Sequence, residues 1–131
     1  MEGSKKKNES DILIAVVNNH VQTAVGISNF LEEKGYRTVQ AYTGKDAIAL
    51  CEKQKPDILF IDVQMPQVSG FDVARALPKQ KILFMVASFD GVGEKAKAFP
   101  NCVGVLFKPV DNAKLDEFLR RYFKLKKPEL E

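Results

Sequence analysis

Residues 56–70 read PDILFIDVQMPQVSG, and this stretch is the strongest indication of the fold. The short, mostly apolar run at 57–61 is typical of a strand that is buried on both faces of a parallel sheet. The run ends in a carboxylate, Asp62, and the turn-forming residues up to Gly70 end the strand and lead to a helix near Phe71. Asp62 is therefore predicted at the carboxyl edge of a central strand, where open parallel sheets collect ligands and chemistry.

The size and composition of the chain predict one domain. Its 131 residues, of which 45% are hydrophobic, are enough to bury a single core. The amino terminus is charged and unlike a signal peptide, and no apolar run approaches the roughly 18 residues that a membrane span needs. A cytoplasmic protein without a membrane contact is expected. The two cysteines, Cys51 and Cys102, lack the spacing of a metal site and are expected to be reduced and buried.

The positive charge of the chain is concentrated at its ends. The formal net charge is +3, but residues 1–10 and 120–131 hold eight of the twenty Lys and Arg residues and four of the seventeen acids. The span 11–119 keeps twelve basic and thirteen acidic residues. Solvated ends explain this distribution better than a nucleic-acid contact does, so no nucleic-acid partner is expected.

Strand-like and helix-like hydrophobic patterns alternate along the chain. A polar, Lys-rich segment at 1–10 is expected to be a disordered tail, the folded domain to span 11–124, and residues 125–131 to form a second polar tail. Strands are predicted at 12–17, 37–41, 57–61, 82–86 and 103–107.

Helices are predicted between these strands and after the last one. Their expected limits are Val21 to Gly35, a start at Thr43-Gly44, Phe71 to Pro78, a poorly supported helix between Gly91 and Pro100, and a final helix capped by Asp111 or Asn112. The final helix has a core stripe at helical spacing, formed by Leu115, Phe118, Leu119 and Tyr122.

Five alternating strand and helix units predict an α/β fold, with an open five-stranded parallel sheet and helices on both of its faces. In such a sheet the carboxyl ends of the strands share one edge. The polar residues Asn18, Asn19, Asp62, Ser88 and Lys108 all fall at or just past those ends, so they are expected to converge on one pocket.

From residue 11 to residue 123 the chain resembles a bacterial response-regulator receiver domain. The resemblance is carried by Asp62 to Gly70, which match the family pattern D-x-x-M-P-x-x-x-G, and by the pair Lys108-Pro109. It implies a flavodoxin-like, doubly wound (βα)5 fold and a role in two-component phosphorelay signalling rather than an enzyme activity.

By this resemblance Asp62 is the phosphoacceptor, and the donor is a histidine kinase or a phosphotransfer protein. Lys108 is expected to pair with the phosphoryl oxygens. These roles suit the reaction, because phosphoryl transfer depends mostly on positioning and on neutralising charge. The last helix and the fifth strand are expected to contact a downstream protein partner.

The first strand departs from the family pattern. Receiver domains usually have two acidic residues there to hold Mg²⁺, and this chain has Asn18 and Asn19. Asp62, Asn19 and the backbone carbonyl of Gln64 are the expected metal ligands, with Asn18 a weak one, and Mg²⁺ is expected to bind weakly because it prefers anionic oxygens. An alternative is that the two asparagines cap the first helix. The neighbouring His20 is given no role.

Two further positions depart from the pattern. The family usually has Thr or Ser at the end of the fourth strand, where this chain has Ala87, and a shift of one residue would place Ser88 there. Ser88 is the favoured of the two. The aromatic residue usually found three positions before the lysine is Val105 here, and Phe107 is expected at the wrong parity to replace it.

Two functions from different classes follow. The chain is either a phosphorylatable response regulator or a receiver-like module that binds a partner constitutively, without phosphate or Mg²⁺. Asp62 and Lys108 favour the first, and the asparagine pair favours the second. A hydrolase of the same topology is disfavoured, because the sequence has no candidate general base, no nucleophile elbow and no Gly-rich phosphate loop.

Overall fold

The structure, a computed structural model, describes residues 8–87 and 91–126. In this part of the chain five strands alternate with five α-helices after a 3-10 turn at Glu9–Asp11. The strands are β1 (Leu13–Val17), β2 (Arg37–Ala41), β3 (Ile58–Asp62), β4 (Ile82–Val86) and β5 (Cys102–Phe107). The helices are α1 (Val21–Glu33), α2 (Gly44–Gln54), α3 (Gly70–Ala76), α4 (Val92–Lys97) and α5 (Asn112–Tyr122).

The strands form one sheet in the order β2-β1-β3-β4-β5, and every neighbouring pair is parallel. The predicted fold class is confirmed. Strand β3 lies in the middle, and all five of its residues are buried, as expected for a strand covered on both faces.

Helices cover both faces of the sheet and form two separate cores. One face packs against α2, α3 and α4, through residues such as Leu59, Ile61 and Phe84. The other packs against α1 and α5, through residues such as Phe60 and Met85. Alternation along each strand decides which face a residue joins, since successive side chains point to opposite sides.

Most predicted boundaries agree with the structure to within a residue or two. Strand β3 begins at Ile58, one residue after the predicted start, and the Asp57 carboxylate accepts a hydrogen bond from the Leu13 N–H at 2.8 Å. Asp111 is the N-cap of α5 and accepts a hydrogen bond from the Ala113 N–H at 2.8 Å. Gly35 follows α1 with φ +101°, a left-handed conformation that glycine adopts easily.

The described residues extend beyond both predicted limits of the domain. The turn at Glu9–Asp11 lies partly within the predicted tail, and the Arg120 guanidinium contacts the Glu9 carboxylate at 2.9 Å. Arg120 also donates to the Lys126 carbonyl at 2.7 Å, and Leu125 packs against the α1/α5 core. Residues 1–7 and 127–131 lie outside the described residues.

Both cysteines are free: Cys51 is buried and Cys102 is half-buried. Burial, followed by the nearby Glu52 charge, raises the pKa of the Cys51 thiol to about 12. Within the residues described, no helix has the length and apolar character to cross a membrane.

Candidate receiver-domain pocket

Asp62 is the last residue of β3, and its carboxylate is engaged at both oxygens. The residue is only 1% exposed. Lys108 Nζ lies 2.6 Å from Oδ2, and the Gln64 backbone N–H donates to Oδ1 at 2.9 Å. A buried carboxylate needs such partners because desolvation disfavours its charged form. The ion pair and the backbone donor together hold Asp62 in one orientation.

The loop after Asp62 is held by backbone hydrogen bonds on both sides. The Val63 N–H donates to the Met85 carbonyl at 3.0 Å, and the Gly70 N–H donates to the Val63 carbonyl at 2.9 Å. Helix α3 then begins with a capping box in which Ser69 and Asp72 exchange side-chain and backbone hydrogen bonds. The turn residues in the sequence therefore shape the loop that surrounds the carboxylate.

Lys108 reaches Asp62 from the far side of β4. Its backbone N–H donates to the Val86 carbonyl at 2.8 Å, and the Lys108–Pro109 peptide bond is cis. Since β4 lies between β3 and β5, the lysine side chain extends over the end of β4 to meet the carboxylate. The side chain is 34% exposed, so part of it remains accessible.

Asn18 also lies in this pocket, but both polar atoms of its side chain already contact other protein groups. It is 2% exposed, its Oδ1 accepts a hydrogen bond from the His20 N–H at 2.8 Å, and its Nδ2 lies 3.9 Å from the Met85 sulfur. The N-cap residue of α1 is His20, so the alternative that the asparagines cap this helix is wrong. Asn18 instead closes the turn that leads into the helix.

Three further predicted site residues are Asn19, Gln64 and Ser88. Asn19 is half-buried and does not line the cleft above Asp62, and the Gln64 side chain is exposed. Ser88 lies outside the described residues. The metal-ligand roles of Asn19 and of the Gln64 carbonyl, and the role of Ser88, stay predictions.

A cleft of about 490 Å³ opens above Asp62. It is lined by Asn18, His20, Thr23, Ile27, Asp62, Met85, Lys108, Pro109 and Val110. His20, Thr23 and Ile27 had not been predicted as pocket residues. Their spacing of three and then four positions places them on one face of α1, and this periodicity was the signal that could have found them.

The end of β4 bears on the choice between Ala87 and Ser88. Met85 lines the cleft, and Ala87 stands two positions later, at the same parity. Two residues of equal parity in an extended chain face the same side. This alternation favours Ala87 at the pocket.

The expectation that Phe107 faces the opposite side of β5 from Val105 is wrong. Val105 and Phe107 are two positions apart in β5 and therefore share a face, since side chains alternate along a strand. Val105 packs against the core on the α2/α3/α4 face. The Phe107 ring lies over Gly93 of α4, with Cε1 3.4 Å from the position of a Cβ there, and the residue is 49% exposed.

A sequence model described as the response regulator receiver domain matches residues 14–120. The chain belongs to this family. Receiver domains act in two-component signalling, where phosphorylation of an aspartate is general to the family, and they are generally non-enzymatic modules. They interact with histidine kinases or phosphotransfer proteins and typically bind Mg²⁺ at an acidic pocket.

Curated relatives agree with this assignment. The chain is 32% identical over 73 residues to the alkaline phosphatase synthesis transcriptional regulatory protein PhoP of Bacillus subtilis, an alignment that covers 56% of this chain and 30% of PhoP. It is 26% identical over 100 residues to the polar-differentiation response regulator DivK of Brucella ovis, covering 72% of this chain and 81% of DivK. It spans 49% of the transcriptional regulatory protein AfsQ1 of Streptomyces coelicolor.

Solved receiver domains share the fold. The Francisella response regulator 1452 receiver domain superposes with a TM-score of 0.78 at 22% identity, covering 88% of this chain and 99% of that one. The chemotaxis protein CheY4 of Vibrio cholerae gives a TM-score of 0.74 at 24% identity, covering 84% and 97%. A co-crystal structure contains the Saccharomyces cerevisiae histidine phosphotransfer protein Ypd1 and the receiver domain of Ssk1. It gives a TM-score of 0.79 at 20% identity, covering 87% of this chain and 90% of the matched chain.

The donors in this receiver domain do not fit a resident Mg²⁺ ion. Among the described residues, no group of three or more His, Cys, Asp or Glu side chains is placed to hold a metal. Of the described residues that line the cleft, Asp62 alone has a carboxylate, and Lys108 already neutralises it. The Asn18 oxygen is used by the His20 N–H. Mg²⁺ prefers several hard, anionic oxygens in near-octahedral geometry, which this pocket lacks.

Proposed function

We propose that this chain is the receiver domain of a response regulator, that it accepts a phosphoryl group on Asp62, and that it thereby switches a protein-interaction surface. The observation that carries the proposal is the 2.6 Å ion pair between Asp62 and Lys108 at the carboxyl edge of the sheet. It combines a nucleophilic carboxylate with a fixed cation, and the open cleft above both lets a donor approach.

The phosphoryl donor is proposed to be a phosphohistidine of a histidine kinase or of a phosphotransfer protein. An Asp62 oxygen attacks phosphorus and forms the new P–O bond as the P–N bond of the donor breaks. The bonding electrons go to the imidazole nitrogen of the donor, which takes a proton from water. Lys108 stays beside the transferred group and offsets part of its charge.

Mg²⁺ is proposed to bind weakly. Asp62 supplies a single carboxylate, and the Asn18 amide is engaged by His20 and Met85. Asn19 and the Gln64 carbonyl remain as predicted neutral donors. Transfer in this chain therefore depends mainly on Lys108.

The proposed output surface consists of β5 and α5. β5 forms one edge of the sheet, and Phe107 at its end is 49% exposed. A large, partly exposed aromatic side chain suits a protein contact. A cytoplasmic location is proposed together with this signalling role.

The second candidate is a phosphorylation-independent interaction module. It is favoured by the completeness of the unmodified pocket, in which both Asp62 oxygens have partners and the charges of Asp62 and Lys108 cancel. Such a domain would present one constant surface to its partner.

Intact-mass measurement separates the two candidates. The full chain and Asp62→Asn are incubated with phosphoramidate, with Mg²⁺ and with EDTA. A gain of one phosphoryl mass that is lost in Asp62→Asn supports the phosphorylated switch and rules out the phosphorylation-independent module. No gain in either condition, while Asn18→Asp/Asn19→Asp with Mg²⁺ is phosphorylated, supports the interaction module.

A further inference from the structure

We propose that His20 donates a hydrogen bond to the phosphoryl group on Asp62, so that His20 and Lys108 together do the work that a divalent cation would do. The inference rests on the proposed function. It gives a role to a residue whose position in the sequence had suggested none.

The first observation is that Lys108 alone would not balance the negative charge of a phosphoryl group on Asp62. A phosphoryl group carries close to two negative charges at neutral pH, and Lys108 contributes one positive charge. The pocket has a poor set of metal donors, and the Asn18 Oδ1 atom is already bonded. A group held there needs further hydrogen-bond donors, because charge-assisted hydrogen bonds are the stronger ones.

The second observation is the placement of His20. The 2.8 Å hydrogen bond from its backbone N–H to Asn18 Oδ1 fixes the residue at the N-cap of α1, with φ −91° and ψ 107°. Its side chain makes no cap hydrogen bond and lines the cleft that Asp62 and Lys108 also line. In the described part of the chain the imidazole has no hydrogen-bond partner, so its N–H is available.

The third observation is the nature of the other cleft residues. Ile27, Met85, Pro109 and Val110 are apolar or lack a side-chain donor, and Asn18 is engaged. His20 and Thr23 remain as the lining donors on α1, and His20 stands at the helix start, beside the end of β1. An imidazole has an N–H donor in either protonation form, so the proposed contact does not depend on titration.

The test measures phosphoryl incorporation from phosphoramidate in EDTA, by intact mass over time and over donor concentration. The variants are His20→Ala, His20→Gln, which keeps an N–H donor, and Gln22→Ala, an exposed control on the same helix that does not line the cleft. We expect His20→Ala to lower the maximal rate about tenfold, with the thermal midpoint unchanged, as loss of one donor to a charged group predicts. His20→Gln should recover most of the rate, and Gln22→Ala should match the native chain.

Equal rates for the native chain and His20→Ala would overturn the inference. Phosphoryl incorporation that occurs only with Mg²⁺ would also overturn the inference, but the proposal that Asp62 is phosphorylated would be retained. If neither the native chain nor Asn18→Asp/Asn19→Asp with Mg²⁺ gains a phosphoryl group, the proposed function fails, and this inference fails with it.

Discussion

Gly70 packs so closely against Asp62 that a Cβ atom at residue 70 would lie 2.8 Å from the Asp62 carbonyl oxygen and 2.9 Å from the Val63 Cα. Real Cβ atoms do not approach backbone atoms this closely, and backbone cannot rotate away as a side chain can. Gly70 therefore lets α3 start directly beside Asp62.

Gly70→Ala is expected to destabilise the fold by about 1–3 kcal/mol, as overpacking in a tight region does. It should also displace the loop that holds Asp62. Urea unfolding measures the first effect, and the amide chemical shifts of residues 62–64 report the second.

Gly26→Ala is the matched control for this prediction. Apart from its chain neighbours and the backbone of α1 itself, no described atom lies within 4 Å of a Cβ at residue 26, in the exposed middle of the helix. Alanine is the better helix former by up to about 1 kcal/mol, so this variant should be as stable as the native chain or more stable. A Gly70→Ala protein with native stability and native shifts would contradict the packing described here.

Removing Lys108 should cost more stability than removing the charge of Asp62. Lys108→Met leaves the carboxylate of a side chain that is 2% exposed without its cation, whereas Asp62→Asn leaves an unpaired lysine whose side chain is 34% exposed. We expect a loss of about 1–3 kcal/mol for Lys108→Met and a smaller one for Asp62→Asn.

A double-mutant cycle with Asp62→Asn/Lys108→Met measures the coupling. The double variant should be more stable than Lys108→Met alone, because it no longer buries an unpaired charge. Additive losses in chemical denaturation would show that the two groups do not stabilise each other.

Substitutions at Ala87 and Ser88 test which of the two residues lies beside the proposed phosphoryl group. Alternation from Met85 favours Ala87 at the pocket, whereas the sequence alone favoured Ser88. Ala87→Ser should therefore change the lifetime of the phosphoryl group, and Ser88→Ala should leave it unchanged. The opposite pattern in a phosphate-release assay would assign the position to Ser88.

The buried Cys51 thiol predicts a loss of stability in alkali. Burial raises its pKa from an ordinary 9.0 to about 12. Between these two values the unfolded chain loses the proton and the folded chain keeps it, so the free energy of unfolding falls as the pH rises from about 9 to about 12. At pH 10 the loss should be about 1 kcal/mol.

Chemical denaturation at pH 8 and pH 10 checks this loss, with Cys51→Ala as the reference. Tyr36, whose pKa burial also raises, is present in both proteins and cancels in the comparison. The stability of Cys51→Ala should fall less between the two pH values. An equal fall in both proteins would show that the thiol does not contribute.

The sequence by itself determined the order of strands and helices, the parallel sheet and the place of Asp62. These features depend on local information: apolar runs of strand length, helical spacing, and turn residues such as Pro66 and Gly70 that stop one element and start another. The shared face of Val105 and Phe107 also follows from local alternation, and it was misassigned although the sequence contained it.

Tertiary structure alone decided what surrounds Asp62. The contact with Lys108 requires the strand order to be known, because the lysine must cross β4. The contact between Asn18 and Met85 and the ion pair between Glu9 and Arg120 join segments that are distant in sequence. A residue's type and spacing predict which edge of the sheet it reaches, but only the packed fold shows which of its atoms remain available for chemistry.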